Sequence, residues 1–152
     1  FLAASQMYLE AGQIVTLFDQ GSFWASFVDG AEVGQKVFAN YLDGSVYADD
    51  VGASTESASF TGTIQVITGI LTASAVTGAI KAGDVLTGVG VPAGTSVLAQ
   101  LSGTIGGAGT YQTSIATAVG PVAMLANDAV ETAFSVDSPA AAGELAKIST
   151  WG

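Results

Sequence analysis

The sequence predicts an all-β chain: a small β-sandwich or barrel host domain with a Gly/Thr-rich β domain inserted into it. Three observations point there. Short runs of β-branched and aromatic residues alternate between turn residues, the pattern of strands that bury one face or both. Across residues 60–114 glycine recurs every few residues with no sustained period near 3.6, and each one would cost a helix about 1 kcal/mol relative to alanine. Asp29-Gly30 and Asp43-Gly44 sit between apolar runs, where glycine reaches positive φ at no steric cost and favours a tight turn.

Taken in order, residues 1–11 read as an extended N-terminal arm, and 13–18 as a strand apolar on both faces. Residues 23–28 follow, with Phe23, Ala25 and Phe27 alternating against Trp24, Ser26 and Val28. The two Asp-Gly pairs predict two hairpins, the second joining 36–40 to 45–48. Asp49, Asp50, Gly52, Ser54, Thr55, Glu56 and Ser57 form a polar break. Strands are then expected at 62–67, 70–75, 84–89, 96–100, 109–113 and 122–126, linked by Gly-rich turns. Residues 131–136 place Thr132, Phe134 and Val136 on one face, and 145–151 read as the closing strand, with Trp151 expected to pack on Trp24 or Phe27. One pattern recurs in Ala11-Gly12-Gln13-Ile14, Val33-Gly34-Gln35-Lys36, Ala82-Gly83-Asp84-Val85 and Ala142-Gly143-Glu144-Leu145, each a Gly-led turn before a strand. It reads as one β-turn used repeatedly, with internal duplication as the alternative.

Charge divides the chain. Between Ser59 and Ala126 the only acidic or basic side chains are Lys81 and Asp84, whereas both flanking segments are acidic. This predicts a discontinuous domain of residues 1–58 and 126–152 carrying an inserted domain of residues 59–125. Thirteen acidic residues against Lys36, Lys81 and Lys147 give a net charge of −10, which excludes a nucleic-acid partner and disfavours an anionic membrane surface. No apolar run reaches the roughly 18 residues of a membrane-spanning helix. Because the chain opens on Phe1, it is expected to be cut from a longer product.

The chain holds no His, Cys or Arg, which removes most general bases, every thiol nucleophile and the usual soft-metal ligands and phosphate clamps. No catalytic residue, cofactor or metal site is expected. Asp49, Asp50 and Glu56 cluster without the spacing of a calcium loop and read as a solvated loop. Asp29 and Glu32 read as turn support, and the glycines of 103–109 lack the lysine of a phosphate-binding loop.

Two stretches, Gly34 to Ala39 (GQKVFA) and Ala142 to Trp151 (AGELAKISTW), resemble the small cement or decoration proteins of tailed-bacteriophage capsids, and the middle, with LTGVGVPAGTSVLAQLSGTIGGAGTYQTS, resembles a β-rich insert of phage virion proteins. Together the similarities span most of residues 11–152. The shorter members of that family lack such an insert. The resemblance implies a non-enzymatic structural protein on the outer capsid surface of the virion, a trimer or dimer that binds the lattice of the major capsid protein and stabilises it. Phe1, Leu2, Tyr8, Phe23, Trp24, Phe27, Tyr41 and Tyr47 are the candidate partner-binding residues, since aromatic anchors dominate binding hot spots and an N-terminal arm suits strand addition. The alternative reading is a tail or fibre adhesion module whose Tyr111, Gln112 and Thr113 bind surface glycans.

Overall fold

The computed structural model describes residues 20–151, and these contain strands, turns and no helix. The expected arm and the strand at 13–18, with Phe1, Leu2 and Tyr8, lie outside the described residues. The strands in chain order are β1 Ser22–Ser26, β2 Lys36–Asn40, β3 Val46–Asp49, β4 Glu56–Ile64, β5 Ile70–Gly78, β6 Val85–Gly88, β7 Val97–Gly103, β8 Gly109–Thr113, β9 Val119–Asn127, β10 Ala129–Val136 and β11 Leu145–Ser149. They form two antiparallel sheets, five strands in the order β1-β11-β10-β2-β3 and six in the order β6-β9-β4-β5-β8-β7. The all-β class is therefore what the alternating runs and glycine spacing said it would be.

The five-stranded sheet takes its strands from residues 22–49 and 129–149, and the six-stranded sheet from 56–127. On β1 the inward residues are Phe23 and Ala25; with Phe27, which follows the strand, they meet Ala146 and Ile148 of β11, Val136 of β10 and Val37 of β2 in one cluster. Phe23 sets its ring edge-on to Phe134 at 5.6 Å. A bulge in β10 between Glu131 and Ser135 interrupts the ladder with β2. There the Thr132 hydroxyl donates to the Val37 carbonyl at 2.7 Å and accepts the Phe134 N–H at 3.2 Å, so the irregular backbone keeps partners.

The six-stranded sheet curls into a half-barrel. Leu86 N–H donates to Thr95 O at 2.7 Å and Val97 N–H to Asp84 O at 2.9 Å, so the outer side of β6 meets the residues leading into β7. Phe60, Ile64, Leu71, Leu86, Tyr111 and Met124 fill the interior. Gly62 faces them, and a Cβ there would come within 2.6 Å of the Met124 sulfur and 2.9 Å of both Leu71 and Phe60. Absence of a side chain at 62 is what lets three large ones meet.

The chain crosses between sheets twice, at neighbouring points. Only Asp128 separates β9 from β10; its N–H donates to Thr55 O at 3.1 Å and its carbonyl accepts the Tyr41 N–H at 2.8 Å. Lys81 of the half-barrel pairs with the Asp128 carboxylate at 3.7 Å. A Cβ on Gly83 would sit 2.9 Å from the Leu42 side chain, so the β2–β3 turn rests directly on the turn before β6.

Three occurrences of the recurring Gly pattern are a single structural device; the fourth, Ala11-Gly12-Gln13-Ile14, lies outside the described residues. In Glu32–Gln35, Lys81–Asp84 and Ala141–Glu144 the fourth residue's N–H returns to the first carbonyl at 3.0 to 3.3 Å, with glycine at φ +93°, +95° and +80° in third place, a type II turn. The fourth side chain then reaches back as well: Gln35 Oε1, Asp84 Oδ2 and Glu144 Oε2 each accept the first residue's N–H at 2.8 to 3.2 Å. A strand follows each turn. Since the device serves both sheets, it is a shared local solution that a polar residue after Gly encodes.

Four sequence expectations are corrected. Asp29-Gly30 makes a turn but no hairpin: β1 pairs with β11 alone among the described strands, and Ala31 goes on to exchange 2.9 Å hydrogen bonds with Ala140. The reason is that Phe27's backbone is already bonded to Glu144 and Gly143, which commits that edge to the C-terminal segment. β4 begins at Glu56, inside the expected polar break, and ends at Ile64, because Gly69 N–H returns to Gln65 O at 3.0 Å and turns the chain. Trp151 lies beyond β11 and is 74% exposed, packed on neither Trp24 nor Phe27. Finally, Tyr111 and Thr113 are buried, with the Tyr111 hydroxyl bonded to the Gly107 carbonyl and the Thr113 hydroxyl to Gly69 O at 2.6 Å.

Candidate docking surface

The alternation that sends Phe23, Ala25 and Phe27 inward sends Trp24 and Ser26 outward, and on β11 the same rule turns Leu145 and Lys147 out. The β1–β11 register sets Trp24 opposite Lys147 and Ser26 opposite Leu145. Trp24 and Leu145 are diagonal neighbours, about 7–8 Å apart in such a ladder. Trp151 follows two residues after Ser149, whose hydroxyl accepts its N–H at 3.3 Å. Trp24 is 66% exposed, and Leu145 is exposed beside it.

Beside this apolar strip stands a small fixed polar group. Lys147 pairs with Asp137 at 3.6 Å, and the Ser149 hydroxyl donates to the same carboxylate at 3.0 Å. The Lys147 N–H donates to the Ser138 hydroxyl at 2.8 Å, which ties down the segment following β10. Trp24 and Lys147 are opposite each other in the ladder, and the ion pair draws the lysine charge to Asp137, at the side of β11 away from β1. Two tryptophans and a leucine around one strand pair are an arrangement that marks interaction surfaces, because leaving such area in water forgoes about 25 cal/mol per Å².

The other candidate residues separate into two groups. Phe27 is fully buried and serves the core, so its ring offers nothing to a partner; the phase of the strand placed it inside. Phe23 is half-buried against the same core. Tyr47 is half-buried and stacks on Phe38, centroids 5.2 Å apart and planes 14° from parallel. Burial, with the Asp128 and Asp49 carboxylates adding to it, pushes its phenol above the usual tyrosine value. Tyr41 is exposed at the β2–β3 turn, where with Leu42 it walls a cleft of about 460 Å³ against Ala82, Gly83, Val97 and Leu98 of the half-barrel. That cleft and the Trp24 strip are separate features.

Leu145 and Trp151 were not singled out from the sequence as contact residues. The signal was present for Leu145, which shares the outward phase of Lys147 on a strand whose partner carries Trp24, but reading it requires the β1–β11 pairing. Of the acidic loop, the Asp49 carboxylate accepts the Asp50 N–H at 2.8 Å, while Gly52 N–H turns to Glu131 instead. Among the described residues no three acidic side chains converge on a position that could hold a metal ion. Among the described residues the one buried carboxylate is Asp84, which accepts from Ser57 Oγ at 2.7 Å and from Lys81 N–H at 2.8 Å and so ties β4 to the turn before β6. Compared with known protein families, characterised proteins and solved structures, the chain matches none.

Proposed function

We propose that this chain is a non-enzymatic structural protein of a tailed-bacteriophage virion, a cement protein that binds the assembled major capsid protein lattice from outside and stabilises it. The observation that carries the reading is the outer face of β1 and β11: a sheet already packed on its inner side by Phe23, Phe27, Val37 and Ile148 still presents Trp24 and Leu145 to solvent, with Trp151 exposed just past the end of β11. The similarity of Gly34 to Ala39 and Ala142 to Trp151 to cement-protein segments supports it, and those segments are β2 with its leading turn and β11 with its own. In this reading the five-stranded sheet docks and the half-barrel projects from the shell. Stabilisation follows from mass action, since a ligand that binds only the assembled lattice resists its opening by an amount set by affinity and occupancy.

The test adds purified chain to shells that lack it and follows shell opening on heating. The opening temperature is expected to rise and saturate with added chain, at a copy number that scales with the number of capsomers. Absence of binding, or a copy number matching a single vertex or tail, overturns the reading; the latter result would favour an adhesion module.

A further inference from the structure

The apolar strip on β1 and β11 ends where two turns meet. Gly30 N–H closes the first turn onto Phe27 O at 3.3 Å, which leaves Val28 and Asp29 exposed at its tip. The second is Ala141–Glu144: its last carbonyl accepts the Phe27 N–H at 3.2 Å, and Gly143 N–H returns to Phe27 O at 2.7 Å. The first turn rests on the residues leading into the second, since a Cβ on Gly30 would lie 2.9 Å from Ala140 O. Asp29 and Glu144 therefore stand at one end of the strip, beside Val28 and Leu145. Glu32 follows close by, one residue after Ala31, which exchanges hydrogen bonds with Ala140.

No lysine offsets these carboxylates. Of the three in the chain, Lys147 pairs with Asp137, Lys81 pairs with Asp128, and Lys36 Nζ donates to Ser135 Oγ at 3.0 Å. Neither ion pair found among the described residues includes Asp29, Glu32 or Glu144. The strip is thus polarised: neutral where the paired Lys147 lies opposite Trp24, negative at Val28. Its apolar side chains favour a cover that takes them out of water. An acidic cover would bring like charges together at the Val28 end, and a wholly apolar one would strip water from Asp29 and Glu144 without replacing it. A cover that is apolar under Trp24 and Leu145 and basic under Asp29 and Glu144 meets both demands.

We propose that the shell surface taken by this strip is an apolar recess bordered on one side by lysine or arginine, and that the basic group meets the Asp29–Glu144 end. The contact presupposes the docking reading and adds the partner's chemistry and orientation to it. Because one end of the strip is charged and the other is not, the same pairing fixes which way round the chain sits.

The test measures how fast the full chain associates with shells that lack it, at low and at raised sodium chloride. Asp29→Lys and Glu144→Lys reverse the charge at the proposed end. Asp50→Lys makes the same change beyond β3, four strand spacings or about 19 Å from β1, farther than the screening length of about 8 Å at physiological salt. The first two are each expected to slow association at least about fivefold and the third less than about twofold, with the difference closing as salt rises. Far-UV circular dichroism and thermal unfolding check that the variants fold. If Glu144→Lys disturbs its turn, Glu144→Gln replaces it and is compared with Asp50→Asn, because glutamine keeps an acceptor for the Ala141 N–H; slowing of at least about twofold is then expected. Asp29→Lys and Asp50→Lys acting alike, or Asp29→Lys associating faster than the unaltered chain, overturns the proposal and leaves the docking reading standing, since the shell is still bound. Failure of the unaltered chain to bind shells at any salt sinks the docking reading, and this assignment with it.

Discussion

Excising residues 56–127 tests whether the five-stranded sheet stands by itself. Thr55 O already accepts the Asp128 N–H at 3.1 Å, the bond that joins the first and fourth residues of a β-turn. Replacing the whole half-barrel by Asn-Gly between Thr55 and Asp128 therefore asks the backbone for little beyond a two-residue turn. The losses can be worked out. The exposed Lys81–Asp128 pair is worth about 0–1 kcal/mol. Leu42 rests on Gly83 but is 69% exposed, so about a third of a leucine's burial free energy is at stake, roughly 0.5–1 kcal/mol. Closure entropy changes little, because the folded half-barrel held the same two ends together. The Tyr41–Asp128 and Thr55–Asp128 hydrogen bonds are retained.

The excised chain should thus keep a cooperative transition with a loss of about 0.5–2 kcal/mol, read as a fall in Tm of about 4–8 °C for each kcal/mol. Thermal unfolding by far-UV circular dichroism gives the transition, and hydrogen exchange at β2 and β10 amides shows whether the same ladder survives. A chain without a cooperative transition, or with those amides unprotected, would refute the reasoning: the two sheets would then be one folding unit, and a docking body that carries the half-barrel as a passenger would lose its basis.

Three further outcomes are expected. Trp24→Ala should lower affinity for the shell by about 2 kcal/mol or more while changing Tm little, since the ring is mostly in water before docking; equilibrium binding to shells against thermal unfolding of the free chain separates the two effects. Gly62→Ala should destabilise the half-barrel by about 1–3 kcal/mol, because its Cβ must displace Met124, Leu71 and Phe60 together; denaturant unfolding of the intact chain with exchange at β4 and β9 localises the loss. At Asp43, hydrogen bonds from the Ser45 side chain and then its backbone N–H hold the carboxyl below 3.8, so this group's contribution to stability is complete above 3.8 and disappears as pH falls through the lowered folded value. The Ser45 amide resonance should titrate with a midpoint below 3.8, and Asp43→Asn should abolish that titration; a midpoint at or above 3.8 would contradict the turn geometry.

What the sequence made legible follows from which interactions are local. β2 and β3 could be read because alternation and the intervening Asp43-Gly44 lie within a few residues of each other, and Gly44 adopts φ +72° as the pair requires. The turns before β2, β6 and β11 were legible for the same reason, a glycine and the polar residue after it acting on a carbonyl and N–H three residues back. Asp29-Gly30 shows the limit: the pair says that the chain turns, while its destination at Ala140 depends on a segment more than a hundred residues away. Val66 and Ile67 read as the end of a strand because apolar alternation does not distinguish a buried ladder from an exposed turn tip, where both in fact lie. Trp151 misled in the same way, since a large apolar residue in sequence suggests a core and only the end of β11 at Ser149 shows that none is there to receive it. Tyr111, Gln112 and Thr113 look like a polar glycan platform in sequence, yet the inward phase of β8 buries the first and last, and the Gln112 amide goes to Thr68 O and Thr113 O.

The distribution of charge gives the proposed shell contact a physical basis. An acidic body can hold its copies apart in solution and still bind a surface that offers basic groups, provided its contact face has enough apolar area to secure the complex once steered there. Around β1 and β11 the Trp24 strip lies beside the Lys147–Asp137 pair, in the part of the chain that carries nearly all the acids. The half-barrel has the opposite composition, with apolar side chains exposed on β7 and no charge from Val85 to Asn127. In the proposed contact, charge would then govern how fast the chain arrives and apolar area how long it stays: raising salt should slow association of the chain with shells, while Trp24→Ala should mainly speed dissociation. An association rate that does not change with salt would show that steering by charge plays no part in the contact.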